Sequence, residues 1–89
     1  MPLDTIAHAA QITESIRNVL HEQGRLNVDA KTIADDGDLY QAGMTSHSSV
    51  NVMLGLEGAF DVEFPDHMLK RSVFSSVAAI RQALLELIA

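Results

Sequence analysis

The chain contains no cysteine and no tryptophan, and only three phenylalanines, one tyrosine and two prolines among its 89 residues. Without cysteine there is no disulfide framework, no thiolate metal site and no cysteine nucleophile. With so few aromatic rings the core has to be built from Leu, Ile, Val, Met and Ala, a composition that suits packed helices. No apolar run approaches the roughly 20 residues that a membrane span requires. The opening Met1-Pro2-Leu3-Asp4 lacks the basic region of a signal peptide, so the expected location is cytoplasmic. Basic side chains are scarce too: six Lys and Arg face twelve Asp and Glu, a formal net charge of −6. Such a field repels phosphate backbones and disfavours nucleic acid as a partner. It favours solubility and attraction to basic protein surfaces.

Metal chemistry is equally poorly served. His8, His21, His47 and His67 have no zinc-ligand spacing. Asp35, Asp36 and Asp38 lack the glycine and terminal glutamate of a calcium loop and read as loop caps and solvated charge. No metal site is expected.

What the sequence does contain is helical periodicity in a chain with room for one domain, residues 1–89. A domain of this size buries roughly 60–70% of its unfolded surface and has little core to spare. From about Leu3 to Gln23, apolar residues recur at Ile6, Ala9, Ile12, Ile16, Val19 and Leu20, one face of a helix that Gly24 ends. The stretch from 24 to 45 reads as a long ordered loop pinned by Leu26, Val28, Ile33 and Leu39. Loops longer than about 12–15 residues are uncommon in compact domains and are usually functional or disordered.

A second helix is predicted from Ser46 to Phe60, with Thr45 and Ser46 both suited to its N-cap. It carries more apolar residues than one stripe can bury. Val52, Leu56, Ala59 and Phe60 form the expected core face, with Met53 beside it. Val50 and Leu54 stand four and eight residues after Ser46, on its side of the helix. They are either further core or a contact surface. After a turn-rich connection in which Pro65 holds Phe64 extended, a short helix is expected from Asp66 to Lys70. Ser75 or Ser76 then caps a last helix bearing Val77, Ile80, Leu84, Leu87 and Ile88. The fold class is therefore all-α: a small four-helix bundle of three main helices and one short one, with the long loop between the first two.

Gly43-Met44-Thr45-Ser46-His47, followed by Val50, Val52-Met53-Leu54, Leu56-Glu57 and Phe60, resembles the acyl/peptidyl carrier protein family. In that family a Gly-x-Asp-Ser-Leu segment opens the second helix, and its serine accepts 4′-phosphopantetheine from coenzyme A. Asp38 to Gly43, Leu56 to Phe60, Val62 to Asp66 and Phe74 to Val77 extend the likeness over roughly residues 36 to 88. The first helix fits in pattern only. The resemblance implies a carrier, not an enzyme, with the covalent cofactor 4′-phosphopantetheine on Ser46. It also implies partner docking through Met44, Thr45, His47, Val50 and Leu54. A serine opening a helix suits this use, because a phosphodiester there meets free backbone N–H groups and the positive end of the helix dipole. A Ser46–His47 catalytic pair is not expected, since adjacent helical side chains diverge by about 100°.

Departures from the family pattern narrow the reading. Thr45 replaces Asp, His47 replaces Leu, and Asn51 stands where an acidic residue is common. The segment from Ser46 to Leu56 has no carboxylate, unlike fatty-acid carriers, whose second helix is read by basic patches. Asp-Leu-Tyr-x-Ala-Gly with Met53-Leu54-Gly55-Leu56-Glu57 looks most like the small bacterial carriers charged with an amino acid by synthetase-like ligases. The implied partners of a monomeric chain are a phosphopantetheinyl transferase, an amino acid:[carrier protein] ligase and a downstream acceptor enzyme. A fatty acyl or polyketide carrier, and an unmodified interaction module of the same fold, remain as alternatives.

Overall fold

The computed structural model describes the backbone of residues 2–88 and the side chains of residues 9–88. Three helices appear, α1 (Pro2–Gln23), α2 (Ser46–Phe60) and α3 (Val77–Ile88), with no strand among the described residues. Ile12, Ile16, Val19 and Leu20 of α1 meet Val52 and Leu56 of α2 and Val77, Ile80, Ala83 and Leu84 of α3 in one core. Ile6, expected on the same face, lies outside the described side chains.

The expected short helix is replaced by two separate 3₁₀ turns, Asp66–Met68 and Arg71–Phe74. Each is a single tight turn, the usual length for such segments. Met68 and Phe74 drop into the core from them, and the Phe74 ring meets Phe64 edge-on at 5.4 Å between centroids.

Three readings of the apolar pattern need correction. Val28 does not pin the long loop but is exposed, because the chain there turns outward ahead of a 3₁₀ turn at Ala30–Thr32. Ala59 is exposed and Phe60 only half-buried, since the last turn of α2 runs past the end of the core. The tight i, i+4 pair in α2 is Val52 and Leu56, both fully buried.

The long loop is held by polar as well as apolar contacts. Leu39 is fully buried, and its N–H donates to the Ser75 carbonyl at 2.8 Å. Asp35, read from sequence as a loop cap or solvated charge, instead receives the Arg81 guanidinium of α3 through both of its oxygens. Arg17 of α1 donates to the carbonyls of Ala30 at 2.7 Å and Ile33 at 2.8 Å, and forms a looser ion pair with Asp35. The Arg81 hydrogen bond holds the Asp35 carboxyl below its usual value; burial opposes this, and the charges of Arg81 and Arg17 lower it further. Arg17 and Arg81 thus tie the loop to α1 and α3 around Asp35.

Two glycines have steric reasons to be glycine. Gly43 sits at φ +114°, and a Cβ there would lie 2.8 Å from the Asn27 side chain. A Cβ on Gly55 would lie 2.8 Å from Val19 Cγ1, so its absence lets α2 approach α1. These two positions set how the loop enters α2 and how α2 lies on the core.

Candidate functional site

The start of α2 is a tightly bonded corner. Thr45 is the N-cap, in extended conformation, and its Oγ1 accepts the Ser48 N–H at 3.0 Å. Ser48 Oγ accepts the Thr45 N–H at 2.8 Å in return, completing a reciprocal capping box. Ser48 is fully buried, and its polar atoms are satisfied within this corner. Cap and anchor are therefore Thr45 and Ser48. Ser46, between them, is the first helical residue, exposed, and its hydroxyl takes no part in the described hydrogen bonds. The sequence offered both Thr45 and Ser46 as caps; the division of labour leaves the Ser46 hydroxyl available.

The buried anchors explain why this corner is stable although its second residue faces water. Met44 is only 3% exposed, and its N–H donates to the Leu39 carbonyl at 3.1 Å. It belongs to the core and cannot form part of a docking surface, contrary to the reading of the motif. Loop burial turned its side chain inward while the next three residues turned outward. Thr45 and His47 are exposed on either side of Ser46.

Val50 and Leu54 are 51% and 54% exposed, so the second apolar stripe of α2 is not core. It forms an apolar strip beginning one turn below Ser46. Leu69, 46% exposed, adds a further apolar group from the connection before α3.

Between α2 and that connection runs an open groove of about 330 Å³. Ser46, Ser49, Val50 and Met53 line one side, and Tyr40, Leu69, Lys70, Arg71 and Phe74 line the other. The Arg71 guanidinium lies 3.8 Å from the centroid of the Tyr40 ring. Reading the sequence missed this second wall entirely. Its one trace there is the adjacent pair Lys70-Arg71, unusual in a chain with twice as many acidic as basic residues. Among the described residues, no group of His, Cys, Asp and Glu could hold a metal ion. No described helix is long and apolar enough to cross a membrane.

Comparison with known proteins points the same way. Residues 10–84 match a family model described as a phosphopantetheine attachment site. Over 66 residues the chain is 52% identical to the aminoacyl carrier protein of Agrobacterium fabrum, covering 74% of this chain and 80% of that one. Among solved structures it is similar to the carrier protein from Agrobacterium tumefaciens, crystallised with ATP and an engineered Bradyrhizobium japonicum glycine:[carrier protein] ligase. That match has a TM-score of 0.83 at 45% identity and covers 85% of this chain and 99% of the other. The glycylated carrier protein complexed with the Bradyrhizobium japonicum ligase also matches, with a TM-score of 0.69 at 28% identity, over 81% and 96% of the two chains.

Proposed function

Because the chain belongs to the phosphopantetheine attachment-site family, we propose that it is a single-domain aminoacyl carrier whose arm is attached at Ser46. The observation that carries the assignment is the exposed Ser46 hydroxyl at the first position of α2, left unbonded by a cap that Thr45 and Ser48 complete between them. The residues present fit the group. The serine lines a groove that also presents Val50, Met53, Leu69 and Phe74, and Lys70 and Arg71 on its far side complement a phosphate. Bound there, 4′-phosphopantetheine supplies a thiol that holds the cargo's carboxyl group as a thioester.

The chain's own residues then have three tasks. Thr45, Ser48 and Gly43 fix the backbone that presents Ser46 to a phosphopantetheinyl transferase. Val50 and Leu54, with Thr45 and His47 at the top, give a docking face of low charge. Ile16, Val52 and Leu56 hold that face rigid on α1. Partner enzymes supply catalysis, and tethering supplies effective concentration.

An amino acid as cargo is supported by the likeness to carriers complexed with glycine:[carrier protein] ligase. The partners on this reading are the transferase, an amino acid:[carrier protein] ligase and a downstream acceptor enzyme, met by a cytoplasmic monomer. The test is to load the arm-bearing protein with such a ligase, ATP and single amino acids, reading thioester formation by intact mass. Addition of one small amino acid, reversed by hydroxylamine, is expected. Loading by fatty acyl ligases but by no amino acid ligase would reassign the cargo.

A further inference from the structure

Of the six Lys and Arg residues, Arg17 and Arg81 are engaged by Asp35. Lys70 and Arg71 form no ion pair with any described carboxylate, and both line the groove that begins at Ser46. An acidic chain has therefore set two adjacent cations, neither paired with a described carboxylate, across the groove from its attachment serine. Resting on the assignment of Ser46 as the attachment site, we propose that Lys70 and Arg71 hold the phosphodiester of the arm against this groove. The carrier would then keep its arm on its own surface between partners.

Three features support this occupant. The phosphodiester is anionic at neutral pH and is fixed to a residue of the same groove, so its charge complements the cations where they stand. Arg71 is already ordered by its stack on Tyr40, at 3.8 Å from the ring centroid, and by an approach of the Tyr40 hydroxyl to its carbonyl at 3.5 Å. Ordering a guanidinium before the ligand arrives removes part of the entropic cost of binding it. The groove lining also includes the apolar side chains of Val50 and Met53 on one wall and Leu69 on the other, which suit the methyl-bearing first segment of the arm. At about 330 Å³ the groove is at the small end of ligand sites, which run from roughly 300 to 1,000 Å³.

Tethering decides whether so open a site can matter. A flexible tether gives an effective concentration on the order of millimolar, so a contact too weak to bind free ligand is still populated. Its strength is electrostatic and partly exposed, and it must weaken as salt shortens the screening length from about 10 Å at 0.1 M to about 3 Å at 1 M. The same cations repel the α-ammonium of an aminoacyl thioester. The phosphate end is drawn in and the cargo end stays out, toward partners.

The experiment uses isotope-labelled full-length protein, with intact mass reporting attachment separately from arm position. In the arm-bearing form, amide and side-chain shifts at Tyr40, Leu69, Lys70 and Arg71 are expected to move relative to the unmodified form. Nuclear Overhauser contacts from the arm's methyl groups to Met53 and Leu69 are expected as well. Both should fade between low and 1 M salt, be lost in the double variant K70Q/R71Q, and be partly restored by R71K. Attachment confirmed by mass, with shifts confined to the residues flanking Ser46, would overturn the proposal while leaving the carrier assignment intact. So would an unchanged arm signature in K70Q/R71Q. If that variant only slows loading by the ligase, the cations serve a protein partner and the proposal fails. A wild-type chain that accepts no arm fails at the earlier step, and the inference falls with the Ser46 assignment.

Discussion

Gly55 and Gly58 lie one helical turn apart in α2, yet the same substitution should stabilise at Gly58 and give no gain or a loss at Gly55. Alanine is favoured over glycine in a helix interior by about 0.8–1.0 kcal/mol, mostly through the entropy of the unfolded chain. A Cβ on Gly58 meets nothing within 4 Å. Gly58→Ala should keep most of that gain, about 0.5–1 kcal/mol, reduced a little by its place near the helix end. A Cβ on Gly55 would stand 2.8 Å from Val19 Cγ1 and 3.6 Å from Gln23 Cγ. Val19 is buried and β-branched, so it has few other rotamers to move into. Overpacking of this kind costs about 1–3 kcal/mol, which cancels or exceeds the intrinsic gain and leaves Gly55→Ala between neutral and about 2 kcal/mol destabilised. For a domain of this size 1 kcal/mol moves the melting temperature by about 4–8 °C. Calorimetry should therefore find Gly58→Ala a few degrees above wild type and Gly55→Ala level with it or up to some 15 °C below. If the two variants gain equally, α1 and α2 are not in close contact at Val19, and the account of how the Ser46 helix is seated is wrong.

Leu54→Ala should leave thermal stability almost unchanged and slow loading by the ligase, whereas Leu56→Ala, fully buried, should cost about 2–5 kcal/mol; equal losses would make the Val50–Leu54 strip core. Phe60→Ala should be milder than Leu56→Ala in urea titrations of the two variants, because Phe60 is only half-buried. Thr45→Ala should cost about 0.5–2 kcal/mol as the lost cap, while Ser46→Ala should be near neutral, and a reversed order would move the cap to Ser46. Because its folded pKa is lowered, Asp35 contributes stability fully present above its unfolded value of about 3.9 and lost as pH falls through the lower folded value. Asp35→Asn should accordingly lose stability at pH 7 and approach wild type as pH falls below the lowered folded value, read from urea midpoints along a descending pH series; a constant offset would mean that the Arg81 contact is not ionic.

How much of this was legible beforehand depended on the kind of signal. The α2 start and end were readable because Thr45 and Ser46 are cap types and the apolar residues keep helical spacing to Phe60. Val50 and Leu54 were readable as a second stripe, but which stripe was buried needed the position of α1. Met44 misled because the three residues after it are exposed, whereas the loop's own bonds, Met44 N–H to the Leu39 carbonyl and Asn27 N–H to the Ala42 carbonyl, go with its inward turn. The role of Asp35 was hidden because its partner, Arg81, is 46 residues away. The groove wall of Tyr40, Lys70 and Arg71 was invisible for the same reason: it is assembled from two loops that no local pattern links.

The central claim is that Ser46 carries the arm, and intact mass spectrometry tests it most directly. Wild type and Ser46→Ala are each incubated with coenzyme A and a broad-specificity phosphopantetheinyl transferase, and circular dichroism confirms that both are folded. One added arm on wild type and none on Ser46→Ala is the predicted result. An arm that persists in the folded Ser46→Ala protein, on Ser48, Ser49 or elsewhere, or a wild-type chain that several transferases leave unmodified, would contradict it.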